Sequence, residues 1–487
     1  MRSPELSWKL LPVYIYLLLV SSITQANDIA NQSPLVKLSF SQAFEQLIDK
    51  NDALAAGRSN LQKAKFLQQA ARDLYLPSVD VSATYTRLNE AVTVLPSSLL
   101  NSMPSGNELQ SFLAGVGSSL GIPADQIDSA FTSQITDEDV ISSSLTAVWP
   151  VYTGGRITAA QEIAAAQTLE AKLLLDLEQQ SQFEKLAKVY FGVVLAQQVL
   201  QTREQAEKNL SKHLSHSIKL QEQGQIAKVE RLKAEVSHDT ATVETQKARR
   251  DLEIAQAAFR RMLKLDESPL PNDELFINTH LPSIDSFIQA TLKTYPGLGV
   301  LDATEAKASG LINVEKGKYY PEVFLFGNYR LHEEDTLASE LEPDWLVGVG
   351  LKIALLDRGG RSGKVQAARS TLMQVSQLRS QAVQDLSLLV EKTWRGARMA
   401  YEEYSGLQSS LKLAKENVRL RDKAFAQGLS TSLEVVDAEL FLTSVKNRRS
   451  VAAYNYVISL AQLLALSNNM VAFADYQATS ENENYDE

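Results

Sequence analysis

Few residues in this chain are spaced for chemistry. Glu434 and Asp437 lie three apart and so share one helix face. Two acids on one face can gather negative charge. However, Thr431-Ser432-Leu433-Glu434 also fits a capping box with Thr431 as cap, so Glu434 has two readings open to it while Asp437 has no capping duty. His213 and His216, again three apart, could hold a metal. With no cysteine and no carboxylate at ligand spacing, the expectation is an exposed polar face and no metal. GGRSGKV at Gly359 to Val365 imitates a phosphate loop. It is one residue short between glycines and carries Val365 where the magnesium-binding hydroxyl belongs. No Ser-His-Asp set can be assembled. The chain reads as a non-enzyme without a cofactor.

The elements that carry these residues are written twice. Phe425 to Leu440 (FAQGLSTSLEVVDAEL) lies on Leu220 to Val236 (LQEQGQIAKVERLKAEV) at an offset of 204. Gln223-Gly224 matches Gln427-Gly428, and Glu230 with Lys233 falls where the second copy has Glu434 and Asp437. Gly154-Gly155-Arg156 returns as Gly359-Gly360-Arg361, and Leu76-Pro77-Ser78-Val79 as Tyr320-Pro321-Glu322-Val323. Repetition at this scale decides the fold class before any single element does.

Each copy runs helix, strand, loop, strand, long helix pair. The first repeat covers 27–282: a helix over 39–75, strands at 79–87 and 141–151, long helices within 157–264, then a proline-punctuated connector over 266–282. The second covers 283–466, with strands at 323–330 and 345–355 and long helices within 362–466. Pro77 and Pro321 break helix into strand, because proline cannot continue the hydrogen-bond ladder. Gly154, Gly155, Gly359 and Gly360 turn strand into helix. The strands alternate: Val79, Val81, Ala83 and Tyr85 oppose Asp80, Ser82, Thr84 and Thr86. Gly348 and Gly350 leave room on the polar face. Residues 157–223 contain no proline and would span about 100 Å at 1.5 Å per residue. The loops 89–140 and 332–344 hold no Lys or Arg and should face water.

The chain has 487 residues and a formal charge of −10. Residues 1–26 read as a secretory signal peptide: Arg2 and Lys9, an apolar run over 10–20, and a small-residue cleavage site at Thr24-Gln25-Ala26. Its removal loses two basic residues and one acidic residue, leaving −11. The absence of cysteine excludes disulfides and an N-terminal lipid anchor. An acidic chain without basic clusters argues against nucleic acid. The end, 467–487, reads as an acidic disordered tail.

Strands of 9–11 residues can cross a bilayer tilted, but four cannot close a barrel, and lipid tolerates no open sheet edge. A membrane barrel here must be shared between chains. A soluble four-stranded sheet packed on its own helices is the plain alternative.

Taken together, the signal peptide, the Leu76-Pro77-Ser78 break, Tyr152 to Arg156 with its partner Asp357 to Arg361, and the two glycine-centred junctions resemble the TolC-like outer-membrane efflux proteins. The resemblance implies an α+β membrane protein. It implies a homotrimer in which each chain gives four antiparallel strands to a shared twelve-stranded outer-membrane β-barrel and long antiparallel helices to a periplasmic tunnel. It implies a passive duct in the Gram-negative outer membrane, bounded by outer-membrane lipid and extending into the periplasm. A periplasmic adaptor would couple it to an inner-membrane pump or ABC exporter, for efflux of small toxic compounds or type I protein secretion. Glu434 and Asp437 match the acidic pair that rings the family's pore entrance, and Gly224 and Gly428 mark where adaptor hairpins dock; each glycine also has the simpler duty of taking φ > 0 at a helix end. Phe425 and Ser430 stand where the best-known member has Tyr and Arg closing links, so the resemblance does not say how this entrance is held shut. A periplasmic adaptor or a coiled-coil scaffold without a channel is the competing reading.

Overall fold

The computed structural model describes residues 37–94, 111–112, 133–267, 269–333, 343–356 and 358–480. The signal-peptide expectation, most of the loop 89–140, Asp357 and the acidic end 481–487 lie outside the described residues.

A two-residue strand β1 (Lys37–Leu38) leads into α1 (Phe40–Lys50) and α2 (Asp52–Arg72). Ser39 and Gln42 form a capping box that starts α1. Asn51 ends α1 and caps α2, its side chain accepting from the Leu54 N–H at 3.1 Å. After a short 3-10 turn, Pro77 gives way to β2 (Ser78–Arg87). A small ribbon, β3 (Val92–Val94) and β4 (Ser133–Thr136), precedes β5 (Asp139–Tyr152). Then come the first long helices, α3 (Arg156–Glu222) and α4 (Lys228–Met262). The connector holds β6 (Leu270–Pro271), which pairs in parallel with β1. The second copy follows: α5 (Ile284–Thr294), α6 (Pro296–Gly317), β7 (Glu322–Glu333), β8 (Trp345–Lys352), α7 (Arg361–Ala426) and α8 (Ser432–Leu466).

The four long strands make one antiparallel sheet in the order β2-β5-β7-β8, so the central β5–β7 pair joins the two copies. Its register puts Leu145 opposite Tyr329 and Ala147 opposite Gly327, and on the flanks Val81 opposite Leu145 and Gly327 opposite Val347. Val79, Val81, Tyr85, Leu145, Leu325, Val347, Val349 and Leu351 therefore share one face, and Ser82, Ser144, Thr146, Asn328 and Lys352 share the other.

The strands differ from the expected bounds where pairing dictates. β7 runs on to Glu333 because β5 continues opposite it. β8 stops at Lys352, not Leu355, because its partner begins at Glu322, just after Pro321. Nor is there empty room at Gly348 and Gly350: the rings of Phe326 and Phe324 lie over them.

The main core sits midway along the long helices, where α1, α5 and the connector wrap them. Phe40, Phe183, Tyr190, Phe191, Phe259 and Phe473 are all buried there, with Phe40 and Phe473 ring centroids 4.8 Å apart. Phe473 lies on α9 (Ala472–Ala478), which corrects the expectation of a disordered tail from residue 467. Residues 467–480 carry Met470, Phe473 and Tyr476, and their burial outweighs the ordering entropy that a purely acidic run could not offset.

Candidate functional site

The two helix junctions are built alike. Gly224 and Gly428 adopt φ of 74° and 72°, and the chain folds back so that Gln225 N–H bonds Leu220 O and Leu429 N–H bonds Ala424 O, each at 2.8 Å. This closure satisfies carbonyls that a helix end leaves unpaired. A Cβ at either glycine would meet nothing within 4 Å, so the left-handed backbone is the whole local requirement for glycine.

The junctions then diverge. At α8 the capping box forms: Glu434 N–H donates to Thr431 Oγ1 at 3.4 Å and Thr431 N–H to Glu434 Oε2 at 2.9 Å. Ser430 Oγ donates to the same carboxylate oxygen at 2.6 Å, and Arg421 pairs with the other, Oε1, at 3.0 Å. The Ser430 hydroxyl, the Thr431 N–H and Arg421 hold the Glu434 carboxyl below its ordinary pKa. Asp437 is exposed one turn further on and makes no hydrogen bond or ion pair among the described residues.

At α4 the matching residue is used otherwise. Ala227 stands at the cap and supplies no side-chain bond. Glu230, paired with Lys233 at 3.1 Å, reaches out of its own hairpin to accept the Ser432 N–H of α8 at 2.8 Å. Burial would raise the Glu230 pKa, but the Ser432 N–H and Lys233 outweigh it and leave the carboxyl below its ordinary value. His213 meets the same residue: its Nε2 lies 2.7 Å from Ser432 Oγ. Its ring tilts against Phe425 with centroids 4.4 Å apart. His213 is buried, which corrects the expectation of an exposed face; His216 is exposed as expected. Both Phe425 and Ser430 thus have partners here, the imidazole and Glu434. A buried histidine leaves no mark in helical spacing, because its burying partner lies 219 residues away.

Above this tip, α3, α4 and α8 enclose a cleft of about 150 Å³ lined by Arg203, Ala206, Leu210, Val236, Leu440 and Thr443. In contact order the long helices run α4, α3, α8, α7. The outer two carry exposed apolar residues, Val229, Val236 and Val243 on α4 and Leu413 and Leu420 on α7.

At the other end of the long helices, Gly154 (φ 65°) and Gly155 (φ 81°) turn β5 into α3, and Gly360 (φ 63°) does so before α7, with Gly359 in the turn ahead of it. Gly154 has a steric duty besides, since a Cβ there would strike the Gly317 carbonyl and come within 2.9 Å of Tyr320 Cβ. Pro77 and Pro321 are the last residues before the next strands, each following a bend residue, Leu76 and Tyr320.

The sheet is incomplete by itself. Among the described residues β2 pairs only with β5 and β8 only with β7, leaving two open edges. Its apolar face is bare: Val81 is 69 % exposed and Val347 74 %. Open edges and a continuous oily face require a sheet neighbour and an apolar surrounding. A bare sheet mounted on a shaft of long helices defines a membrane-barrel segment with a helical extension.

Comparison with known proteins agrees. The outer membrane efflux protein family model matches residues 43–263 and 287–469, one block in each repeat, and the chain belongs to that family. CusC, described for its transmembrane channel formation, has 16 % identity and a TM-score of 0.70, covering 89 % of this chain and 92 % of that one. The open state of the Neisseria gonorrhoeae MtrE outer membrane channel gives 17 %, 0.69, 88 % and 89 %, and the Vibrio cholerae outer membrane protein VceC gives 12 %, 0.70, 88 % and 96 %. No curated protein sequence matches significantly. The protein is an outer-membrane efflux channel-tunnel of α+β fold with an internal repeat, not an enzyme, and the adaptor-only alternative is not favoured.

Proposed function

We propose that three copies close a twelve-stranded barrel, β8 of one chain pairing with β2 of the next, and that the chain reaches the outer membrane by a cleaved signal peptide and carries no lipid anchor. The observation that carries the trimer is the coincidence of two open strand edges with two outer helices, α4 and α7, that carry exposed apolar residues along the same molecule. A head-to-tail contact of this kind closes into a ring when the rotation permits. The apolar face then meets lipid and the polar face lines the duct.

The junctions at Gly224 and Gly428 form the periplasmic entrance and the docking site for an adaptor, which links the duct to an inner-membrane pump or ABC exporter. Asp437 and Glu434 ring that entrance and favour cations. Glu434 already pairs with Arg421, so Asp437 contributes the larger share of the field. The cargo is small toxic compounds or a secreted polypeptide. Mass measurement in detergent and single-channel recording test the assembly. Trimers with stable conductance are expected; a water-soluble monomer without affinity for micelles overturns it. Deleting the gene and comparing susceptibility to small toxic compounds with secretion of large proteins separates the two cargo classes.

A further inference from the structure

The contact between the two hairpins at the junction end centres on Ser432, with a second link two turns along α8, where Asn209 donates to Glu439 Oε1 at 3.0 Å. Glu230 on α4 accepts the Ser432 N–H at 2.8 Å, and His213 on α3 meets Ser432 Oγ at 2.7 Å with the Phe425 ring against its imidazole. Ser432 is the first residue of α8, three positions before Val435 and five before Asp437. Whatever holds Ser432 therefore sets where the entrance acids stand.

We propose that His213, Glu230 and Ser432 form a proton-sensitive clasp between the two hairpins, closed at neutral pH and released by acid, with His213 and Glu230 as the positioning residues for the entrance helix. The clasp rests on the reading of this end as the channel entrance. A neutral imidazole fits the site because the Ser432 hydroxyl and the Phe425 ring solvate an added charge less well than water does, and this burial outweighs the pull of the nearby Glu230 carboxylate.

The groups that act on it are few. Burial pushes His213 down to about 4, His216 on the same helix pushes in the same direction, and Glu230 opposes them. α7 presents Phe425 and α8 the Ser432 hydroxyl; Lys233 is engaged with Glu230, and Asp422 of α7 interacts with His216 and Lys212. When the hairpins part, His213 meets water and returns toward its ordinary 6.5. At His213 the parted state then binds more protons than the clasped one between pH 6.5 and 4, so this group favours parting in acid over that window, against Asp422 and Glu439, whose carboxyls burial holds above their ordinary values in the clasped state. Each pH unit lowered there changes the clasped-to-parted ratio by up to about tenfold.

Because the chain has no cysteine, a pair of spin labels at the exposed positions Gln225→Cys and Leu429→Cys reports the separation of the two junctions in the full-length protein. In assemblies diluted with unlabelled chains, the expected result is a single short distance within the labelled chain at pH 7.5 and growth of a longer one between pH 6.5 and 4. His213→Gln should abolish that pH dependence, whereas His216→Gln should keep it. Glu230→Ala should lengthen the distance already at pH 7.5. A wild-type distance that is flat across the window, or a transition that survives in His213→Gln, overturns the clasp; the wild-type measurement decides even if a variant does not assemble. Conductance recorded on the same samples separates the two levels: no conductance at any pH defeats the channel-entrance reading, while steady conductance with a flat distance defeats only the clasp.

Discussion

Phe326 lies over Gly348 of the neighbouring strand, so close that a Cβ at the glycine would sit 2.6 Å from its Cζ. Phe324 is placed the same way over Gly350, and the two rings are 6.0 Å apart. An aromatic patch, with Val148, Pro150 and Leu346 on the same face, therefore interrupts the polar residues of that side of the sheet. Gly348→Val should displace the ring and cost about 1–3 kcal/mol of overpacking. Thermal dissociation of the assembled protein in detergent checks this, and an unchanged melting temperature would mean the ring moves aside freely.

The two glycines that start α3 should not be equivalent. Gly155→Ala meets open space and carries only left-handed strain, about 1–2 kcal/mol. Gly154→Ala carries that strain and also drives its Cβ into the Gly317 carbonyl, which is backbone and cannot swing away. Melting temperatures of the two variants should rank clearly; equal losses would refute the steric assignment.

Thr431→Ala removes half of the capping box and should cost about 1 kcal/mol at the start of α8. Since Glu434 has a folded pKa below its ordinary value, its contribution is present at neutral pH and is lost as the pH falls through that lowered pKa. Hydrogen-exchange protection of the first turn of α8, taken relative to the intrinsic exchange rate at each pH, reads both effects, and protection that does not change with pH would count against the cap.

Combined Glu434→Ala and Asp437→Ala should reduce cation preference in bilayer recordings, with Asp437→Ala alone giving the larger single effect. Unchanged reversal potentials in a salt gradient would remove both residues from the entrance ring.

Tyr190 is fully buried, donates toward Leu38 O and Asp273 Oδ2 at 2.8 Å each, and accepts the Asn272 and Asp273 N–H groups at 3.1 and 3.2 Å. Tyr190→Phe strands several of these partners and should lower stability by about 1–3 kcal/mol. Urea unfolding monitored at the mid-shaft would show it; a midpoint equal to wild type would mean the partners find other bonds.

Sequence periodicity located the strands and long helices because these are short-range properties. Alternation of Val79 to Tyr85 and the proline-free run after Gly155 each report on neighbours a few residues away. The duplication revealed the two junctions, and Thr431 with Glu434 announced a cap that the structure forms. Glu230 matches Glu434 by position, but the structure uses it differently. With Ala227 at its own cap position, it serves the other hairpin, 202 residues distant.

By its own order of residues, then, the chain determined a twice-written plan of strand pairs and helix pairs, since polarity period and backbone-breaking residues act locally. Only the tertiary structure decided which copy's strand lies beside which, that His213 is buried, that Phe473 anchors the tail, and that Phe324 and Phe326 occupy the glycine gaps. Each of those depends on surfaces brought together from opposite halves of the chain, and no local pattern encodes a partner that arrives from so far away.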